Sequence, residues 1–194
     1  MVDKPAGLLS VPGRGPDKRD SVQTRLAEQF PAVYPAHRLD MATSGVLLFA
    51  LRRAAERELH RQFRERLTEK RYVARVAGHV ADDEGTIDLP LIAVTTVGRS
   101  RVDPAGKPSI THYRVLERSP GPSTLLELRP LTGRSHQLRV HLQAIGHPIL
   151  GDPFYAPGHA AAEATRLLLH AAELCFDQPY SRERLSIASP IPFR

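Results

Sequence analysis

Five apolar residues, Val46-Leu47-Leu48-Phe49-Ala50, follow Gly45 without a break. A run this short, opened by a Gly, predicts a strand buried on both faces. Upstream, Val22, Leu26 and Phe30 recur every four residues. Asp20 as cap, Gln23 three residues on and a stop at Pro31 make that segment a short amphipathic helix. Residues 52–67 predict a second helix, with Ala55, Leu59, Phe63 and Leu67 as its apolar stripe. Arg53, Arg57, Arg61 and Arg64 share its other side with Glu56, Glu58 and Glu65, which reads as an exposed face laced with ion pairs. Residues 72–80 alternate, with Tyr72, Ala74 and Val76 on one side of a strand. Residues 82–106 read as a loop-rich excursion with a basic turn at Gly98-Arg99-Ser100-Arg101. Residues 111–117 and 124–128 predict a hairpin around Pro120-Gly121-Pro122. Thr132 is the expected cap of a third helix over residues 133–145, ended by Gly146. Residues 167–172 and the tail complete the core. Strands and helices are interspersed with few regular βαβ units, so the fold class is α+β.

The chain has 194 residues and ordinary apolar content, enough for one domain spanning 1–194 with a sizeable core. The net charge of +6 suits a nucleic-acid binder. Of 27 basic residues only four are lysines. Arginine favours bidentate phosphate contacts and base stacking, although an Arg-rich codon usage produces the same bias. A single cysteine, Cys175, excludes an internal disulfide and is read as a small core residue. No cysteine cluster exists for zinc, and no apolar run approaches a membrane span. A cytoplasmic protein is expected.

The chemistry-bearing stretch is His37-Arg38-Leu39-Asp40-Met41-Ala42-Thr43-Ser44-Gly45. It places a cation, a carboxylate and two hydroxyls on a loop that feeds straight into the buried run. Thr43, Ser44 and Gly45 offer donors near Asp40. A surface turn with Asp40 as an ordinary turn acid fits the same spacing, and periodicity does not choose between them. His136 and His141 stand five apart, unlike the i, i+4 pair of a zinc protease, so no metal is expected.

The same stretch resembles the His-Arg-Leu-Asp-x-x-Thr-Ser-Gly motif of the RluA-type pseudouridine synthases. Lys4-Pro5-Ala6-Gly7, Lys70-Arg71-Tyr72, Gly133-Arg134-Ser135-His136-Gln137-Leu138-Arg139-Val140-His141 and Arg166-Leu167-Leu168-Leu169-His170 resemble further family segments in the same order. So does Gly146-His147-Pro148-Ile149-Leu150-Gly151-Asp152. Residues 8–14, 38–43 and 54–59 most resemble the subgroup acting on both a tRNA anticodon stem-loop and large-subunit rRNA. Family members usually carry a strand before the Lys-Pro segment, and only Met1-Val2-Asp3 precede it here, so that strand is expected to be cut short.

The resemblance implies a mixed, mainly antiparallel sheet with flanking helices and an RNA cleft. It implies Asp40 as the nucleophile, Arg139 as its cationic partner and Tyr72 as the aromatic on the target uracil. Without the motif, Tyr72 reads as core and Arg139 as a surface ion pair. It implies further that Arg38 fills the gap left by the flipped base, that Leu169 backs the pocket, and that Thr43, Arg134 and His136 line the substrate site. The reaction is an isomerisation, so no cofactor is expected. The expected partner is tRNA, large-subunit rRNA or both, bound by a monomer with no separate RNA-targeting domain. A non-catalytic RNA-binding module on the same fold is the alternative. A nucleosidase or glycosidase fits less well, since it commonly needs two cooperating carboxylates and only Asp40 sits in a motif.

Overall fold

The computed structural model describes every residue except Thr95, Val97 and Arg194. In chain order the elements are β1 (Val2–Lys4), a 3₁₀ turn (Pro16–Lys18), α1 (Val22–Ala27), β2 (Tyr34–Pro35), β3 (Ser44–Leu47), β4 (Phe49–Ala50), α2 (Arg53–Arg64) and β5 (Glu69–Ala77). There follow β6 (Glu84–Asp88), β7 (Leu91–Val94), β8 (Arg99–Val102), β9 (Ile110–Arg118), β10 (Ser123–Pro130), α3 (Gln137–Ala144), α4 (Gly158–Ala162), β11 (Leu169–Asp177) and β12 (Arg184–Ala188). The class is α+β, with a mixed, mainly antiparallel sheet. The chain divides into two compact units, residues 1–70 with 171–191, and residues 71–170 with 192–193.

In the first unit the strand order is β1–β3–β11–β12. The apolar run lies where its pattern predicts, since all four residues of β3 and both of β4 are buried. It is broken at Leu48 into two strands, and β4 pairs with β2 instead of extending β3. Val2–Lys4 pair antiparallel with the Gly45–Leu47 stretch, so the strand expected to be cut short is present as three residues. Gly45 takes φ 113°, and a Cβ there would overlap the backbone oxygen of Ala171. Only glycine lets the two strands approach this closely.

The first helix starts one residue later than its sequence pattern suggests. Ser21 is its N-cap, and Ser21 and Thr24 satisfy one another's backbone amides. Asp20 is taken up instead by Arg25, at 2.8 Å through both carboxylate oxygens. On α2, Ala55 and Leu59 are buried and Phe63 packs against the same cluster as Val46, Leu174 and Phe176. Leu67, expected on this stripe, lies beyond the helix and is 41 % exposed. The opposite face carries the expected ion pairs, Arg53–Glu56, Arg61–Glu58 and Arg61–Glu65. Buried Gln62 exchanges two 2.9 Å bonds with the backbone of Asp177, tying α2 to the end of β11. Cys175 is only half-buried, because it faces away from the side of β11 that buries Leu174 and Phe176.

In the second unit the order is β5–β10–β9–β6, all antiparallel. The β9–β10 hairpin is as predicted. The excursion at 82–106 is more regular than its composition suggests. It supplies β6 and a separate ribbon of β7 and β8, and the basic turn is the start of β8; Thr95 and Val97 within it lie outside the described residues. The third helix begins at Gln137, four residues after its expected start. Gln137 Oε1 accepts from Thr132 Oγ1 at 2.7 Å and from Arg134 N–H at 3.1 Å, so these four residues form a side-chain-bonded turn instead. Every residue from Gln137 to Leu142 is buried.

Candidate active site

Asp40 sits on a loop whose backbone is fixed on both sides. Before it, Leu39 N–H donates to Ser10 Oγ at 3.0 Å, and the Ser10 hydroxyl donates to Leu39 O at 2.7 Å. After it, Met41 O accepts from Lys4 Nζ and from Gly7 N–H, each at 2.9 Å. Lys4 is 1 % exposed, and its ammonium also donates to Pro5 O and Leu8 O. A buried ammonium facing three carbonyls gains charge-assisted bonds that offset its desolvation. Thr43 N–H donates to Asp40 O at 3.1 Å, and Thr43 and Ser44 are buried.

His37 anchors the start of the loop. Its Nε2 accepts from Leu48 N–H at 3.1 Å and its ring stacks on Phe63 at 4.9 Å. Desolvation, aided by the nearby Lys70 charge, pushes the imidazole down to about 4, so it is neutral and keeps its acceptor. Burial likewise pulls Lys70 down to about 8, assisted by Arg66. Arg38, between His37 and Leu39, is exposed, while Asp40 is half-buried. The loop therefore offers a carboxylate and a guanidinium on a backbone with little freedom, the arrangement a nucleophile requires.

The second unit holds the other residues singled out in the sequence. Arg139 is 2 % exposed, which excludes the surface ion-pair reading. Its Nε and Nη2 donate to the two oxygens of Asp152 at 2.7 and 2.8 Å. Asp152 is fully buried, and its Oδ1 also accepts from Phe154 N–H and Tyr155 N–H. The guanidinium lies 5.2 and 5.0 Å from the ring centres of Phe154 and Tyr155. The Tyr155 hydroxyl accepts from Ser100 N–H at 2.8 Å and meets His136 Nδ1 at 2.7 Å. His136 occupies the left-handed region at φ 56°, a strained conformation held by this bond and by its ring contact with Tyr155. Arg134 is exposed, with Nε and Nη2 near Pro108 O. Tyr72 is half-buried on β5, and Leu169 is buried at the start of β11.

Arg38, Asp40 and Thr43 thus share one loop, and Arg134, His136 and Arg139 share the approach to and body of α3. Of the other histidines, His141 bonds Thr111 Oγ1 and Leu89 O, and His147 bonds Ala77 O, as packing residues do. Lys4, Ser10, Asp152 and Tyr155 were not assigned roles from sequence. The one available signal was a lone lysine and a lone aspartate embedded in apolar or Gly-Pro segments.

The family model described as RNA pseudouridylate synthase matches residues 1–144. The chain is 56% identical over 181 residues to the dual-specificity RNA pseudouridine synthase RluA of Yersinia pestis, covering 92% of this chain and 88% of that one. It is 51% identical over 195 residues to the protein of the same name from Escherichia coli (strain K12), covering 100% and 89%. Among solved structures it resembles human RNA pseudouridylate synthase domain containing 1, with a TM-score of 0.80 and 32% identity over 100% of this chain and 88% of that one. It also resembles human RNA pseudouridylate synthase domain containing 4, with a TM-score of 0.78 and 25% identity over 98% and 84%. No helix among the described residues is long and apolar enough to cross a membrane. With the family model spanning most of the chain and the relatives nearly all of it, this protein belongs to the RNA pseudouridylate synthase family, in its RluA-type group.

Proposed function

We propose that this chain isomerises specific uridines to pseudouridine in structured RNA, both in a tRNA anticodon stem-loop and in large-subunit rRNA, with Asp40 as nucleophile. The observation that carries the reading is the loop of Asp40, pinned through Leu39 and Met41 on either side of the carboxylate, in a chain about half identical to dual-specificity synthases. The reaction breaks the bond from ribose C1′ to N1, turns the uracil, and joins C1′ to C5. C5 loses its proton and N1 gains one, so nothing is oxidised and no external group is consumed. A carboxylate suffices, adding either to the ribose carbon or to the uracil ring before being released.

In this reading Arg139 is the cationic partner of the nucleophile, and its bidentate bond to Asp152 fixes the aim of its guanidinium. Tyr72 stacks on the target uracil and relays the C5 proton, and Leu169 backs the ring. Arg38, exposed on the same loop as Asp40, fills the gap when the uridine flips out. Thr43 supports the loop from within, and Arg134 and His136 contact the RNA. The protein acts in the cytoplasm as a monomer, without metal or cofactor.

Tritium release from RNA labelled at uridine C5 tests this, with unmodified tRNA and rRNA fragments and Asp40→Ala alongside. Release from both RNAs by the wild type alone is expected. Release from one RNA alone would overturn the dual specificity. Tight binding without release from either would favour a non-catalytic binding module.

A further inference from the structure

Beside the Asp40 loop, within the first unit, lies a cleft of about 530 Å³ that shares only Arg38 with the proposed reaction. Its walls are Val11, Pro12, Pro35 and Ala36, with His60 on one side and Arg38 at the rim; Gln23 and His37 complete it. The volume falls in the range of small-ligand sites, about 300–1,000 Å³.

The walls are preformed. Gln23 Nε2 donates to Val33 O, and His60 Nε2 lies 2.9 Å from Pro35 O, so each side chain is fixed by one polar atom. His37 is fixed by Leu48 and Phe63. That leaves the amide oxygen of Gln23 and Nδ1 of His60 as polar groups outside these two bonds, while the proline and imidazole rings offer flat apolar faces.

The charge pattern selects the occupant. Inside the cleft His37 is neutral, and Arg38 is its only guanidinium. A phosphate would find several cations instead on the exposed loop bearing Arg14, Lys18 and Arg19. A neutral, flat heterocycle with a polar edge suits the cleft better, and base faces stack on such surfaces without regard to sequence. Arg38 carries the continuity, since it stands two residues before Asp40 on the same pinned loop.

We infer that this cleft is a second nucleobase subsite, holding one unpaired base of the RNA that flanks the target uridine. The inference rests on the proposed RNA reaction at Asp40 and extends it to the substrate's neighbouring nucleotide.

The test is a two-way cycle. Hairpins containing the target uridine carry a single abasic nucleotide at each flanking position in turn. Each is assayed by tritium release with the wild type, with His60→Ala, and with Pro12→Trp, whose ring blocks the cleft from an exposed position. For the wild type, removing the base at one position is expected to lower kcat/KM on the order of tenfold, through KM, as loss of one stacked base does. For Pro12→Trp the same removal costs less than about twofold, because the subsite is already closed, and His60→Ala falls between. Equal losses in wild type and Pro12→Trp, or no sensitive position, would overturn the subsite. The cycle is repeated by fluorescence anisotropy with the same hairpins. Coupling in affinity with no tritium release would keep the subsite and sink the synthase reading. Release without coupling would do the reverse.

Discussion

Replacing Asp152 with Ala removes one partner of a buried bidentate ion pair. Arg139, 2 % exposed, loses the carboxylate that its Nε and Nη2 bond. The amides of Phe154 and Tyr155 lose their acceptor at the same time. Breaking a buried pair by removing one charge costs about 3–5 kcal/mol, because the survivor's desolvation is no longer offset. That is a large share of the ~5–15 kcal/mol that holds a typical domain together. Replacing both charges, as Arg139→Met with Asp152→Leu, removes the buried guanidinium together with its carboxylate, and stability should return to within about 2 kcal/mol of wild type. Urea unfolding followed by tyrosine fluorescence reads this directly, since the chain has five tyrosines and no tryptophan. With a slope of about 2 kcal/mol per molar urea, the single variant's midpoint should fall by about 1.5–2.5 M. A loss below about 1 kcal/mol for Asp152→Ala, or a double variant less stable than the single one, would refute the view that this pair is a desolvated clamp.

Four further outcomes follow from the geometry. Asp40→Asn should abolish tritium release while leaving RNA affinity within a few fold, since one carboxylate adds little attraction to a polyanion; the release assay reads the first and a filter-binding series the second. Gly45→Ala should cost at least about 2 kcal/mol in thermal or urea unfolding, because φ 113° and the overlap with Ala171 O leave a Cβ no room. Stability should fall as pH drops from about 6.5 to about 4, because the native His37 imidazole titrates near 4 and takes its proton later than the unfolded chain does. His37→Gln, whose oxygen still accepts from Leu48, should flatten that limb. RNA affinity should decline steeply with salt, and a flat response would contradict phosphate-dominated binding.

The sequence was legible where one local signal dominates. The apolar run after Gly45 gave a buried strand, and the Ala55–Leu59–Phe63 stripe gave α2, because an unbroken apolar run and a four-residue repeat are both short-range signals. It was less legible where side chains compete with the backbone. At the start of α1, Asp20 satisfied the capping pattern as well as Ser21, and only its pairing with Arg25 decided between them. At α3, Gln137 captures the amide of Arg134 and the hydroxyl of Thr132, which postpones the helix past the cap that the sequence offers at Thr132. Strands β6 to β8 are only four or five residues long and set among turn residues, so their pairing is decided by partners outside the local pattern. In the candidate site the motif residues were visible but their supports were not. Nothing in the spacing of Arg139 points to Asp152, thirteen residues on and past a tight turn.

Those supports explain why the opening segment keeps company with the loop of Asp40. Lys4 places an ammonium where no solvent reaches, at a cost that three carbonyls offset only if all three are in position. Two of those carbonyls, Pro5 O and Leu8 O, lie in its own segment, and the third belongs to Met41. Placement of the opening segment and placement of the loop are therefore coupled, since the bond to Met41 O is one that the ammonium keeps only when both are in position. Ser10 adds a reciprocal pair at Leu39 from the same segment. Substituting Lys4 removes a buried charge and a constraint on the loop together, so its effect reaches Asp40 with no contact between the two side chains being required. The opening Lys-Pro segment is thus best understood as architecture for the carboxylate, and the chemistry is left to the loop it holds.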